Sequence, residues 1–290
     1  MSRAKTGASS SSLSSKKPQS TQEPYNATIT EWIDLNDELA IFRVKPDEGC
    51  VPEFEPGQFA MLALPRDHPP IADAQQYPAG DPRWKKLTRR AYSIASSTLE
   101  REYLEFYVVL VEDGKLTPKF WADKAGGRIW LDSRINGDFT LETVPDGKDL
   151  VMVSTGTGLA PYVSMLKTFR NTGRWRRFVM VHGVRYQQDL GYRAELEQIA
   201  AEDPSFIYLP MVSREPEDSD WTGLRGRVTA ALEEDEYKRL VGAELDPEDA
   251  HVFLCGNPAM IDQAESMLTD RGFVVQTKKQ RGNLHFERYW

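Results

Sequence analysis

The sequence predicts two domains, an antiparallel β-barrel followed by an α/β domain built on a parallel sheet. The chain has 290 residues, which exceeds the length of one average domain. Short runs of β-branched and aromatic residues, bounded by Gly, Pro and Asp, fill residues 25–147. Over residues 148–290, apolar runs alternate with helical patterns, as is typical of parallel strands joined by crossover helices.

A polar segment of different composition precedes both domains. Residues 1–24 are rich in Ser, Lys and Gln and contain no acidic residue before Glu23. Such a segment cannot bury enough apolar surface to offset the entropy of ordering, so we predict a disordered tail. A basic, Ser-rich start also resembles an organelle transit peptide. With one Arg and almost no apolar residues, the segment favours a plain tail on a cytoplasmic protein over organelle import.

The first predicted domain contains six strands, enough for a small barrel. A short helical stretch over 117–123 interrupts them. The loop over 66–88 is long and contains several Pro residues, and long loops in compact domains are often functional. The strands are predicted over 27–32, 40–44, 58–64, 91–95, 104–111 and 128–131.

The second predicted domain alternates five strands with four helices. The boundary between the two domains falls in a Pro-Asp-Gly linker near residue 147. Strands are predicted over 150–154, 178–183, 206–212, 252–255 and 273–276, and helices over 160–170, 192–201, 227–232 and 258–271.

A glycine-containing turn joins the first strand of the second domain to its first helix. It reads Ser-Thr-Gly-Thr-Gly-Leu-Ala-Pro over residues 154–161. Glycines let the backbone approach a pyrophosphate, and the first N–H groups of the helix face the anion. The turn lacks the third glycine of the full dinucleotide fingerprint. Its position after a buried strand nevertheless predicts that Thr157 and Gly158 contact a dinucleotide.

Arginines stand where a nucleotide's ribose would be read. Domains that bind NAD usually place an acidic side chain near the end of the second strand. Here Arg185 follows the second strand, Arg214 follows the third, and Arg227 lies in Gly-Arg-Val soon after. Guanidinium groups bind a 2′-phosphate by paired, charge-assisted hydrogen bonds. Each arginine taken singly is equally explained by solvation, but Arg185 and Arg214 together favour NADP over NAD.

Composition excludes several other classes of protein. The formal net charge is −8, which does not suit nucleic-acid binding because phosphate contacts need a basic surface. No apolar stretch is long enough to span a membrane. The two cysteines, Cys50 and Cys255, are far apart, so we predict no disulfide framework, no clustered metal site and no four-cysteine iron–sulfur cluster.

The barrel region contains two short segments that suit a bound flavin. In Arg90-Ala91-Tyr92-Ser93, the first and third residues share one face of a strand, because side chains alternate. Arg90 could pair with a pyrophosphate, Tyr92 could stack on a flavin ring, and the Ser93 hydroxyl could bond a ring atom. Taken alone, the same residues also suit an ordinary strand.

Taken together, five separated motifs resemble those of ferredoxin–NADP⁺ reductases. The residues 182–186 and 286–290 resemble the bacterial ferredoxin/flavodoxin reductases in particular, and the resemblance covers residues 25–290. The N-terminal tail and the 66–88 loop depart from the family pattern. The five motifs, in chain order, are Arg90-x-Tyr92-Ser93, Gly114-Lys115-Leu116-Thr117, Gly-Thr-Gly-Leu-Ala-Pro over 156–161, Cys255-Gly256-Asn257-Pro258 and Glu287-x-Tyr289.

The resemblance implies a role for each matching position. Residues implied to bind FAD are Arg90, Tyr92, Ser93, Lys115, Leu116, Thr117 and Trp290. Residues implied to shape the nicotinamide site are Ser93, Cys255, Glu287 and Tyr289, with Tyr289 covering the flavin face where nicotinamide docks. Residues implied to read the 2′-phosphate are Arg185, Arg214 and Arg227.

The implied activity is electron exchange between NADP(H) and ferredoxin or flavodoxin, by hydride transfer between nicotinamide and flavin N5 followed by one-electron transfer to or from a protein partner. We expect a monomer. Two alternatives stay open: a reductase component that feeds an oxygenase or free flavin, and a non-catalytic NADP(H)-binding sensor. Since ferredoxins and flavodoxins are typically acidic, a basic docking face is expected. Its candidates are Lys85, Lys86, Arg89, Lys278, Lys279 and Arg281.

Overall fold

The computed structural model describes residues 25–71 and 86–288. Several predictions therefore fall outside the described residues: the disordered tail over 1–24, most of the 66–88 loop, and the roles of Tyr289 and Trp290.

Six antiparallel strands form the first sheet, in the order β4-β3-β6-β1-β2-β5. Just after the end of β4, Ile94 forms a bridge to Phe106 on β5, at the other edge of the sheet. The Ala95 N–H also donates to the Glu105 carbonyl at 2.8 Å. The sheet thus closes on itself, as the predicted barrel requires. The strands are β1 Ala27–Asn36, β2 Leu39–Pro46, β3 Phe59–Pro65, β4 Leu87–Ser93, β5 Leu104–Val109 and β6 Arg128–Asn136.

The barrel has its own apolar core. Phe42, Leu62 and Phe106 are fully buried inside it. Helix α1, Thr117–Asp123, adds Phe120, whose ring centroid lies 5.5 Å from that of Phe42. The predicted short helical stretch is therefore a packed helix with the predicted bounds.

Parallel strands form the second sheet, in the order β10-β9-β8-β7-β11-β12. Its central strands are buried along almost their whole length, as expected where helices cover both faces of a parallel sheet. The strands are β7 Asp149–Thr155, β8 Arg177–Val184, β9 Phe206–Val212, β10 Leu224–Arg225, β11 Ala250–Gly256 and β12 Leu284–Arg288. The helices are α2 Ala160–Phe169, α3 Arg193–Glu202, α4 Glu234–Val241 and α5 Pro258–Thr269.

The strand predicted over 273–276 is wrong. Val274 is 39% exposed, and only an isolated bridge at Val275 joins this segment to the sheet. The sixth strand is instead β12, whose mixed polar and apolar residues suit the sheet edge where it lies. The prediction also missed α4, which buries only Tyr237 and Val241, and it took the 3₁₀ segment Val228–Leu232 for an α-helix.

Apolar side chains join the two sheets into one packed body. Barrel residues Leu39, Ile41 and Tyr107 share a buried cluster with Met152 and Phe178 of the second sheet. The connection from β6 to β7 runs over 137–148 and contains the predicted boundary.

Candidate active site

Three of the predicted site residues converge where the barrel meets the edge of the parallel sheet. Ser93 is the last residue of β4, whereas Cys255 and Glu287 lie opposite each other on β11 and β12. The Ser93 hydroxyl donates to Glu287 Oε2 at 3.4 Å, and Cys255 Sγ lies 4.0 Å from the same oxygen. Distant parts of the chain thus place a hydroxyl and a thiol in contact with the same carboxyl.

Burial changes the ionisation of this carboxyl. It raises the pKa of Glu287 to about 7, although the hydrogen bond from Ser93 acts in the opposite direction. Cys255 beside it is fully buried. A carboxyl that titrates near neutral pH at a contact between two domains has the property expected of a functional group.

Next to Cys255, the glycine-containing turn packs closely against β11. The 3₁₀ segment Gly156–Leu159 joins β7 to α2, as the sequence predicts. A Cβ on Gly158 would lie 2.5 Å from the Cys255 carbonyl oxygen, so only glycine allows this approach. The Thr155 hydroxyl also accepts a hydrogen bond from the Asn257 N–H at 2.9 Å. The two loops are thereby fixed together at the carboxyl edge of the sheet.

A groove of about 540 Å³ runs along this carboxyl edge. Crevices outside the carboxyl ends of parallel strands are the usual nucleotide sites of such folds. Thr157 of the predicted turn lines the groove, and so do Arg185, Arg214 and Arg227. The structure thus brings these predicted nucleotide residues to one cavity.

The three groove arginines differ from a nearby arginine in their contacts. Within residues 25–71 and 86–288, the guanidinium groups of Arg185, Arg214 and Arg227 make no hydrogen bond or ion pair, and all three residues are exposed. Arg225 instead donates to the Glu215 carbonyl at 2.8 Å and to the Trp221 carbonyl at 3.2 Å. Three cationic groups therefore stand available to an anion in the groove.

On the barrel side, Arg90 and Tyr92 share one face of β4. Arg90 is exposed, and its only hydrogen bond to a described residue is to the Arg89 carbonyl at 2.8 Å. Tyr92 is half-buried, with its ring 5.7 Å from Phe120, and burial raises the pKa of its phenol. In the part of the chain that the structure describes, the Tyr92 hydroxyl has no hydrogen-bond partner.

The second barrel motif lies at the start of α1. Lys115 is exposed and Leu116 is buried. The Thr117 hydroxyl accepts from the Val111 N–H at 2.9 Å and donates to the Val111 carbonyl at 3.3 Å, which closes the loop between them. The predicted contacts of these residues with a pyrophosphate stay predictions.

The barrel also supplies groove residues that the sequence analysis missed. Asn36, Glu38, Leu39 and Val109 line the groove opposite the nucleotide-side loops, as does Asp189 from the loop after β8. The Asn36 side chain donates to Asp189 Oδ1 at 3.0 Å. Polar residues at a hairpin turn give no local signal of a second domain packed against them, so only the tertiary structure identifies these positions.

The predicted docking residues are exposed wherever they are described. Lys86, Lys279 and Arg281 are exposed, and Lys278 pairs with Asp138 at 3.1 Å. The Arg89 guanidinium lies over the Trp130 ring, 4.5 Å from its centroid. Lys85 falls outside the described residues.

The described ranges contain neither a candidate metal site nor a membrane-spanning helix. Within 25–71 and 86–288, no three His, Cys, Asp or Glu side chains are grouped so that they could hold a metal ion. No helix in the same ranges is long and apolar enough to cross a membrane.

Similar proteins place this architecture in a known group. Residues 152–266 match the oxidoreductase NAD-binding domain. The flavodoxin/ferredoxin–NADP reductase of Escherichia coli (strain K12) is 31% identical, over 90% of this chain and 96% of its own. The ferredoxin–NADP reductase of Pseudomonas aeruginosa is 29% identical, over 90% of this chain and 94% of its own. A crystal structure of a Neisseria gonorrhoeae ferredoxin NADP⁺ reductase with bound FAD and NADP has a TM-score of 0.76 and 27% identity, over 91% of this chain and 97% of its own.

A closed barrel packed on a nucleotide-binding parallel sheet, with a carboxyl, a thiol and a hydroxyl at the junction, defines a two-domain oxidoreductase. More narrowly, the chain belongs to the flavodoxin/ferredoxin–NADP reductase family. The resemblance found in the sequence motifs is therefore confirmed.

Proposed function

We propose that the protein exchanges electrons between NADP(H) and a ferredoxin or flavodoxin through a bound FAD. The observation that carries the proposal is the contact of Ser93 on the barrel with Glu287 on the parallel sheet, next to Cys255. A flavin held by the barrel and a nicotinamide held by the sheet can meet only at this junction. The Neisseria gonorrhoeae neighbour, which contains FAD and NADP, supports the same pair of cofactors.

The nucleotide specificity follows from the groove charges. A ribose 2′-phosphate carries close to two negative charges, and guanidinium groups bind its oxygens in pairs. Arg185, Arg214 and Arg227 line one cavity, and the described residues offer them no competing partner. NADPH should therefore be preferred to NADH.

The barrel residues suit a flavin. Arg90 presents a guanidinium with one described hydrogen bond, and Tyr92 presents a half-buried ring whose hydroxyl lacks a described partner. In the proposal Arg90 and the 115–117 segment hold the pyrophosphate, while Tyr92 and the C-terminal Tyr289 and Trp290 contact the rings. Bound flavin supplies the chemistry that joins a two-electron donor to one-electron carriers.

At the junction, the chain's own groups control proton and water access. The Ser93 hydroxyl donates a hydrogen bond to Glu287, which keeps the hydroxyl oriented between barrel and sheet. Glu287 can hold or release a proton near neutral pH, because burial has raised its pKa. Cys255 keeps water away from the same point, since it is fully buried.

We further propose that the partner docks by charge on exposed basic residues of the two domains, Lys86, Lys279 and Arg281, which would attract an acidic protein. Lys279→Glu and Arg281→Glu should each slow electron transfer to ferredoxin or flavodoxin and weaken its salt dependence. Lys238→Glu on α4, where the lysine pairs with Glu244, is the matched control. Unchanged electron-transfer rates in both variants would show that Lys279 and Arg281 do not belong to the docking face.

The decisive experiment measures cofactor content and acceptor choice on one preparation. Bound flavin should give a yellow protein that absorbs at about 450 nm. Oxidation of NADPH and of NADH is then followed with ferredoxin, flavodoxin and free flavin as parallel acceptors. Fast transfer to free flavin alone would instead identify a flavin-reducing or oxygenase-feeding reductase, and a colourless protein would identify a nucleotide sensor. Sedimentation of the same preparation tests the proposed monomer.

A further inference from the structure

The loop between β8 and α3 is held by both domains. Within its own domain, the Gln187 N–H donates to Glu215 Oε2 at 2.7 Å and Leu190 packs against Trp221. We call residues 186–192 the latch loop. Its Asp189 carboxylate accepts from the Asn36 side chain at 3.0 Å, and its Asp189 carbonyl accepts from the Tyr107 hydroxyl at 3.0 Å. The Gly191 N–H donates back to the same hydroxyl at 3.2 Å. Two barrel strands, β1 and β5, thus fix a loop of the nucleotide domain.

The last residue of the latch loop, Tyr192, has a strained backbone conformation, and barrel side chains fix it in place. Tyr192 has φ of +61°, a left-handed conformation that side chains other than glycine and asparagine rarely adopt. Such a residue persists only when its surroundings fix it. The Tyr192 hydroxyl donates to the buried carboxylate of Glu105 at 3.0 Å, and its ring packs edge-on against Tyr107, 5.5 Å between centroids. The loop conformation therefore depends on barrel side chains at both positions.

The start of the latch loop adjoins the first groove arginine. The Tyr186 N–H, directly after Arg185, donates to the second carboxylate oxygen of Asp189 at 3.2 Å. The Arg185 carbonyl in turn accepts from the Arg214 N–H at 2.9 Å. Asp189 therefore connects the barrel residue Asn36 to the backbone that carries Arg185, and all three residues line the groove.

We propose that the Asn36–Asp189 contact is a positioning device that determines specificity for the ribose 2′-phosphate. The barrel, through Asn36, holds the latch loop so that Arg185 is presented to the phosphate before it binds. This inference rests on the proposed use of NADP(H). Because the contact acts on the backbone before binding, it lowers the entropy lost when the phosphate is bound and leaves the reacting atoms untouched.

Two explanations of the Asp189 carboxylate predict opposite changes in phosphate affinity when it is replaced. If Asp189 acted only through its charge, Asp189→Asn would remove repulsion and tighten binding of a phosphate. In the positioning model the same variant weakens binding. Asn36 and the Tyr186 N–H donate to different oxygens of Asp189, and the amide replaces one of these oxygens with an NH2 group that cannot accept. The loss of one charge-assisted hydrogen bond corresponds to about tenfold in affinity.

The experiment titrates the flavin-loaded protein with 2′,5′-ADP and, separately, with 5′-AMP, which lacks the 2′-phosphate. Asp189→Asn should bind 2′,5′-ADP about tenfold more weakly and leave 5′-AMP unchanged. In turnover, the KM for NADPH should rise in the same proportion while kcat stays constant. Tyr107→Phe, which removes the second barrel contact and keeps the ring, should weaken 2′,5′-ADP binding in the same direction.

A swap variant and a control complete the test. Asn36→Asp combined with Asp189→Asn restores a donor facing an acceptor at the wild-type net charge. The new carboxylate also keeps the Asn36 oxygen that accepts from the Glu38 N–H at 3.0 Å. This double variant should recover 2′,5′-ADP binding to within about twofold of wild type. Thr168→Ala removes a contact between the domains outside the groove, to the Thr98 N–H at 3.2 Å, and should leave 2′,5′-ADP binding unchanged.

Each outcome bears on a stated part of the inference. Unchanged or tighter 2′,5′-ADP binding in Asp189→Asn overturns the positioning role, as does a swap variant that fails to recover. Equal affinity of the wild-type protein for 2′,5′-ADP and 5′-AMP would instead refute the proposed NADP(H) specificity. If Asp189→Asn does not fold, Tyr107→Phe provides the test. If that variant discriminates 2′,5′-ADP from 5′-AMP as well as wild type does, the positioning role of the latch loop is overturned.

Discussion

Glu287 should make the folded protein less stable as the pH rises through neutrality, and Glu287→Gln should remove this effect. Burial raises the pKa of Glu287 from the ordinary 4.5 to about 7, so the folded state holds a proton that the unfolded state releases. Folding is unaffected below the unfolded pKa, is progressively opposed as the pH rises from there to the folded pKa, and changes little further above it. The interval from 4.5 to about 7, at about 1.36 kcal/mol per pH unit, limits the effect to roughly 3 kcal/mol.

The assay is urea unfolding of the flavin-loaded protein at pH 4.5 to 8.5 in steps of about half a pH unit, followed by far-UV circular dichroism. Flavin is kept at one concentration, so that its contribution to stability is common to every variant. Glu287→Gln keeps the shape of the side chain and a group able to bond Ser93. Its stability relative to wild type should be near zero at the acid end and rise by up to about 3 kcal/mol above pH 8.

Glu53→Gln is the matched control, because the Glu53 side chain is 88% exposed. Because solvent screens an exposed carboxylate, its replacement should change the free energy of unfolding by less than about 1 kcal/mol. A difference between Glu287→Gln and wild type that is constant with pH would show that burial does not hold this carboxyl protonated. A stability difference that falls with rising pH would show that the folded state lowers the pKa of Glu287, the opposite of the expected shift.

Three further predictions concern other parts of the molecule. Arg214→Ala should raise the KM for NADPH about tenfold, with little change for NADH, because it removes the proposed charge-assisted contact to the 2′-phosphate. Arg225→Ala, whose guanidinium is already hydrogen-bonded, should leave the ratio of the two KM values unchanged. Glu105→Gln should show the opposite pH trend to Glu287→Gln in the same urea assay: burial opposes ionisation of Glu105, but Lys167 and Arg43 lower its pKa below 4.5, so the carboxylate stabilises the fold at neutral pH and loses that contribution as the pH falls. Tyr289→Ala should tighten NADP⁺ binding, measured by titration of the flavin spectrum, if this aromatic residue competes with nicotinamide for the flavin face; unchanged affinity and spectra would remove that role.

Local sequence patterns predicted the elements whose residues carry their own signal. The glycine-containing turn over 154–161 was recognisable because a buried strand, two glycines and a proline at a helix start occur together, and each has a local structural cause. The placement of Arg185 and Arg214 in one groove was predictable, because the ends of parallel strands meet at one edge of the sheet. The barrel strands were recognisable from β-branched runs. The prediction for β4 nevertheless began four residues too late, because Arg89 and Arg90 face solvent and lack the apolar character of a strand.

Other features depend on contacts that no local pattern contains. Strand β12 reads Leu-His-Phe-Glu-Arg, and it forms because β11 offers a parallel edge, not because the segment has strong strand propensity. The competing run over 273–276 is more apolar but pairs with the sheet at a single bridge, between Val275 and Leu284. Asn36 and Asp189 were missed for the same reason, since each is an ordinary polar loop residue until the domains pack. The pKa of Glu287 likewise depends on burial by both domains.

The two proposed roles of the interface between the domains depend on the same packing. It presses Ser93 of the barrel onto Glu287 of the parallel sheet, and the resulting burial keeps the carboxyl protonated up to about neutral pH. It also fixes the latch loop through Asn36 and Tyr107, next to Arg185. Any change that loosened the interface would hydrate Glu287 and lower its pKa toward 4.5, while it released the groove arginine. Proton control at the junction and selection of the nucleotide are thus expected to fail together when the interface loosens, and separately when either contact is altered alone.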